Sequence, residues 1–89
     1  MGVELLHIGF GSVVAANRVL AAMAPDSSPI RRMVQEAKEA NKLIDLTYGR
    51  RTKSVIVLDS GHVILAPIHP ETMAGRLGRQ RGTERGSDS

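Results

Sequence analysis

Apolar and polar positions change their period several times along the chain, and each change marks an element. Residues 3–8, Val-Glu-Leu-Leu-His-Ile, are apolar with polar interruptions and stop at Gly9-Phe10-Gly11-Ser12, which predicts a strand followed by a turn. Residues 13–16 and 19–23 mix alanine, which favours helix, with Val-Val after a glycine, which favours strand. They read as two short strands bent at Asn17-Arg18 rather than as one broken helix. Past Ala24-Pro25-Asp26 the period lengthens: Ile30, Met33, Val34 and Ala37 fall at i, i+3, i+4 and i+7, the stripe of an amphipathic helix. Ser27 or Ser28 can cap it, and Pro29 suits its first turn. Arg31, Arg32, Gln35, Glu36, Lys38 and Glu39 take the opposite face, with Arg32 and Glu36 one turn apart as a weak pair.

Asn41 and Lys42 end that helix, and residues 43–48 resume alternation until Gly49 breaks it. Val55-Ile56-Val57-Leu58 and Val63-Ile64-Leu65-Ala66 flank Asp59-Ser60-Gly61-His62, which predicts a hairpin at the centre of a sheet. Pro70 opens a short helix over residues 71–77. The stretch 78–89 holds no apolar residue and reads as a mobile polar tail, leaving residues 1–77 as one domain. The expected fold is α+β: a small antiparallel sheet, one main amphipathic helix and a short C-terminal helix.

Composition narrows the chemistry. The 89 residues include one Phe, one Tyr, no Trp and no Cys, so the core is aliphatic and thin and has no disulfide to support it. Self-association is the remaining support. His7, His62 and His69 are scattered over different elements, which gives no metal-ligand spacing. Gly9-Phe10-Gly11 does not extend to a dinucleotide-binding fingerprint, since Val14 stands where the third glycine belongs. No nucleophile motif and no close carboxylate pair is present, so neither an enzyme nor a cofactor is expected. The N-terminus has no basic segment leading a long apolar run, and the expected location is the cytoplasm.

Charge supplies the positive signal. Between Arg18 and Lys53 there are eight basic residues against four acidic ones. Three of the cations stand together in Gly49-Arg50-Arg51-Thr52-Lys53-Ser54, where guanidinium forks can hold phosphate oxygens and hydroxyls supply neutral donors. The other reading of this loop is a solvated basic turn. Arg18, alone among Val, Ala and Leu, is either an exposed-face residue or an anion ligand, and it completes a basic patch if it faces the same side as Arg50 and Arg51. Arg31 and Arg32 oppose the helix dipole, which hints at an anion nearby, but pairing with Glu36 or Asp26 explains Arg32 equally. With only two aromatic rings to stack bases, duplex DNA fits better than single strands. The alternative is an oligomeric interaction module whose basic patch binds an acidic protein or RNA.

Ile8-Gly9-Phe10-Gly11, Ala16-Asn17-Arg18, and Ser28-Pro29-Ile30 with Arg32-Met33 form one series of motifs. Leu43-Ile44-Asp45, Thr47-Tyr48-Gly49-Arg50-Arg51-Thr52, Asp59-Ser60, His62-Val63-Ile64-Leu65 and Pro70-Glu71-Thr72 continue it in order. Together these stretches resemble the RemA family of bacterial regulators of extracellular-matrix genes. The resemblance implies a transcription factor that activates biofilm-matrix operons and a domain similar to the LytTR DNA-binding fold. It also implies a closed homo-oligomeric ring of about six to eight subunits, nucleoid-associated, that bends or wraps its DNA. Arg18, Arg50 and Arg51 stand where that family places its DNA-contacting arginines; Thr52, Lys53, Arg31 and Arg32 are secondary candidates.

Overall fold

The computed structural model describes residues 4–80. Its N-terminal hairpin pairs β1 (Leu5–Gly9) with β2 (Ser12–Ala15), antiparallel. The connecting Phe10 and Gly11 both have positive φ, 53° and 84°, as a two-residue turn matched to strand twist requires. A 3-10 turn over Ala16–Arg18 leads out of this sheet into β3 (Val19–Met23) of a second one. The bend expected at Asn17-Arg18 therefore separates two sheets.

The helix α1 (Ser28–Glu39) follows, with Ser27 as its cap accepting from the Ile30 amide at 3.4 Å. At its other end Asn41 takes φ 61°, and Lys42 N–H donates to the Ala37 carbonyl at 2.8 Å. Asn41 N–H donates to the Lys38 carbonyl, completing the two-bond closure by which a left-handed residue ends a helix. The chain then forms β4 (Leu43–Asp45), β5 (Ser54–Leu58), β6 (Val63–Ala66) and α2 (Pro70–Gln80). Helix α2 continues three residues past the boundary that composition suggests at Leu77, because the absence of apolar residues does not stop Arg79 and Gln80 from being good helix formers. The rest of the expected tail, 81–89, lies outside the described residues.

The second sheet has the order β3-β5-β6-β4. Its centre is the expected β5–β6 hairpin, but β4 runs parallel to β6, so the sheet is mixed rather than antiparallel. The strand expected over 43–48 is also cut short at Asp45. Its carboxylate accepts from the Thr47 amide at 2.9 Å and from the Thr47 hydroxyl at 2.6 Å, turning the backbone before it can continue. Because β4 lies beyond β6, residues 46–53 must cross the end of β6 to start β5. That crossing puts the basic loop at one end of the sheet.

Period-2 alternation divides the sheet's side chains between two cores. Val55, Val63, Val57, Leu65 and Met23 meet the α1 stripe of Ile30, Met33, Val34 and Ala37. On the other face Ile56, Ile64 and Ala66 meet Leu6, Ile8 and Ala16 of the hairpin region and Met73 of α2. Each fully buried aliphatic side chain contributes about 1.5–3 kcal/mol. This layering holds the hairpin tip above the end of the sheet where β6 exits, with a Cβ on Gly9 falling 3.3 Å from Pro67 and Ile68.

Candidate nucleic-acid interface

Two arginine sites stand at opposite ends of β5. At the first, Arg18 ends the 3-10 turn just before Val19, which pairs with Leu58. Its carbonyl accepts from the Asp59 amide at 2.9 Å, and its Nη1 donates to the Asp59 carboxylate at 3.1 and 3.3 Å. Both side chains remain open to solvent, 60% and 41% exposed. The same end carries Lys42, whose Nζ lies 3.4 Å from the Cβ position of Gly61, and a bond of 2.7 Å between Ser60 Oγ and His62 Nδ1.

At the second end, Thr47-Tyr48-Gly49-Arg50 forms a tight turn closed by Arg50 N–H donating to the Thr47 carbonyl at 3.0 Å, with Tyr48 at φ 54° and Gly49 at φ 81°. The Thr47 hydroxyl and amide together hold the Asp45 carboxyl below the usual carboxylate range. This turn meets the tip of the hairpin. The Arg50 guanidinium lies over the Phe10 ring at 3.7 Å from its centroid, and Ser12 Oγ and the Tyr48 hydroxyl are 3.0 Å apart. Arg51 and Lys53 are exposed and Thr52 is half-buried. Among the described residues, no carboxylate pairs with Arg50, Arg51 or Lys53.

The structure thus brings Arg50 to Phe10 and Tyr48 to Ser12, but it does not bring Arg18 to the Arg50–Arg51 pair. The strand between them, Ser54 to Leu58, spans roughly 13 Å at about 3.3 Å per residue, so the two sites cannot share one small anion. Within a subunit, Arg18 and the Arg50–Arg51 pair therefore stand at the two ends of one strand. Arg31 and Arg32 are exposed on α1, which covers the sheet face opposite the hairpin, and neither is ion-paired with Glu36 or Asp26 among the described residues.

In the sequence Phe10 reads as part of a turn and Asp59 as part of a hairpin, neither with a role. Their signals were present: each of the two aromatic residues adjoins a glycine at a turn, and Asp59 opens the turn that Arg18 faces. Among the described residues, no helix is long and apolar enough to cross a membrane.

The chain is a small α+β fold that presents exposed arginines at the two ends of β5. The chain matches the RemA-like family, described as extracellular matrix regulatory protein A-like, over residues 5–77. It is 57% identical over 77 residues to a protein of Alkaliphilus oremlandii, covering 86% of this chain and 83% of that one. A protein of Halothermothrix orenii is 56% identical over 82 residues, 92% of this chain and 98% of that one. A third, from Bacillus cytotoxicus, is 56% identical over 77 residues, 86% and 88% of the two chains. Each of the three bears the name of a regulatory protein. The chain belongs to the RemA-like family, and its role is regulatory.

Proposed function

We propose that this protein is a DNA-binding transcriptional activator of extracellular-matrix genes, a cytoplasmic, nucleoid-associated regulator that holds duplex DNA through arginines repeated around a homo-oligomer. The observation that carries this reading is the exposed loop 48–53, whose three cations have no carboxylate partner among the described residues. Arg18, a strand's length away, suits an extended polyanion: roughly 13 Å corresponds to about four steps of a duplex rising 3.4 Å per base. Thr52 and Lys53 adjoin the loop's arginines as further donors, whereas Arg31 and Arg32 belong to another face.

The loop's three cations neutralise about three phosphates and give a salt slope near −2.7, too little for firm binding by one subunit. Repetition around a ring, in a domain similar to the LytTR fold, makes later contacts intramolecular and lets the duplex bend around the assembly. Exposed apolar residues support self-association: Leu20 on the edge strand β3 is 68% exposed, and Leu5 and Val13 stand out from the hairpin.

The test is duplex affinity across a salt series, on about 100 base pairs, with the oligomer's mass measured with and without DNA. Wild-type affinity should fall steeply with salt, and Arg50→Ala with Arg51→Ala should abolish binding while leaving the mass unchanged. A flat salt response, or full binding by the double variant, would overturn the reading. Preference for acidic protein or RNA over duplex DNA would replace it with the interaction-module reading.

A further inference from the structure

The two turns that meet at Arg50 are both conformationally unfavourable. Phe10 has φ 53° and Tyr48 has φ 54°, a region that bulky L-residues rarely enter. Neither is compensated by full burial, since Phe10 is 53% exposed and Tyr48 58% exposed. An exposed aromatic ring in a left-handed turn contributes little to a core and is poorly suited to the turn itself. What it does contribute here is a flat, neutral face: the Arg50 guanidinium lies on it, 3.7 Å from the centroid. The Ser12–Tyr48 contact of 3.0 Å ties the same two turns together beside this stack.

We propose that Phe10 is a positioning residue for DNA, a platform that holds Arg50 with its hydrogen-bonding edge toward a phosphate; this rests on the duplex-binding reading. The geometry suits the task. All five guanidinium N–H groups lie in the plane of the group, so stacking on a ring occupies its face and leaves every donor free. A carboxylate in the same place would consume donors and cancel the charge, whereas a phenyl ring does neither. Because the stack forms before DNA arrives, less of the arginine's rotamer freedom remains to be lost on binding. The hairpin tip Gly9-Phe10-Gly11 is on this view part of the anion site.

The experiment compares Phe10→Leu, Phe10→Trp and Phe10→Asn in the full chain, in wild-type and Arg50→Ala backgrounds. Duplex affinity and thermal midpoint are both read. Leucine and tryptophan share the backbone penalty of phenylalanine, so their difference isolates the ring. Phe10→Leu should weaken duplex binding about fivefold and Phe10→Trp should restore it, since stacking on an exposed aromatic face is of that size and strongest for Trp. Asparagine tolerates positive φ, so Phe10→Asn should melt no lower than wild type yet bind DNA as weakly as Phe10→Leu. In the Arg50→Ala background, Phe10→Leu should change affinity no further. Wild-type affinity in Phe10→Leu, or losses that add to those of Arg50→Ala, would overturn the positioning role alone. A wild-type protein that binds no duplex would instead overturn the reading beneath it, and the positioning role with it.

Discussion

The two ends of β5 hold an arginine in opposite ways. At one end Arg18 is tied to Asp59 through a backbone bond and through its side chain, so the pair carries no net charge. At the other, Arg50 is steadied by a neutral ring and keeps its full charge beside Arg51 and Lys53. In energy the two arrangements are close, since an exposed ion pair contributes about 0–1 kcal/mol and an exposed cation–π contact about 0.5–1 kcal/mol. Their electrostatic consequences diverge. An anion approaching the loop meets three cations with no carboxylate partner among the described residues, whereas one approaching Arg18 meets a carboxylate that already holds it. Counting arginines along the sequence therefore does not count the charges ready for phosphate.

The largest test of this asymmetry is Arg18→Ala. The substitution removes the cation and unmasks Asp59, so a neutral pair is replaced by a repelling carboxylate at that end. A change of one unit charge at about 4 Å in water is worth about 1 kcal/mol, which gives about fivefold weaker duplex binding for Arg18→Ala, as for Arg51→Ala alone. Unchanged or tighter binding by Arg18→Ala in titrations at one salt concentration would break the comparison. Asp59→Asn is the complementary change. It should bind duplex about fivefold more tightly than wild type, and added to Arg18→Ala it should recover a similar factor. Weaker binding by Asp59→Asn would instead make the carboxylate a needed support for Arg18.

How much of this was legible in the sequence follows from the range of each interaction. The helix α1, its Ser-Pro start and the β5–β6 hairpin are local signals of spacing and turn chemistry, and they appear where the pattern places them. The parallel pairing of β4 with β6 is not local, because it depends on where α1 delivers the chain, and a three-residue strand carries no direction in its composition. The site divides in the same way. The basic loop is contiguous and readable, but which partner each arginine finds spans a sequence separation of 41 residues for Arg18 and Asp59 and of comparable length for Arg50 and Phe10. Membership of the RemA-like family was readable as well, because it rests on motif order rather than on contacts.

A smaller effect belongs to the loop end alone. The Thr47 hydroxyl, buried against Asp45, helps close the turn that presents Arg50. Thr47→Val should lower stability by about 1.5 kcal/mol, the contribution of a hydrogen bond to a charged group. Its pH dependence has a definite sign. Thr47 holds the Asp45 carboxyl below its ordinary value of 3.8, so the added stability is complete above that value and fades as the pH falls past it toward the lowered one. The gap between wild type and Thr47→Val in denaturant melts should therefore be constant near neutrality and narrow below about pH 3.8. A gap that widens in acid would sink this account of the turn.

The smallest effect comes from Ser54, which starts β5 directly after Lys53 and is fully buried, its hydroxyl unpartnered among the described residues. A buried hydroxyl without a partner opposes folding, so Ser54→Ala should raise stability by about 0.5–1 kcal/mol. Duplex affinity should stay at the wild-type value, because the side chain points into the core with Ile56 rather than toward the loop's cations. The variant thus separates stability from binding at the end where the two are most easily confused. If Ser54→Ala stabilises the fold but weakens DNA binding, the hydroxyl takes part in presenting the loop, and the contrast between the ends extends below the surface residues into the strand that joins them.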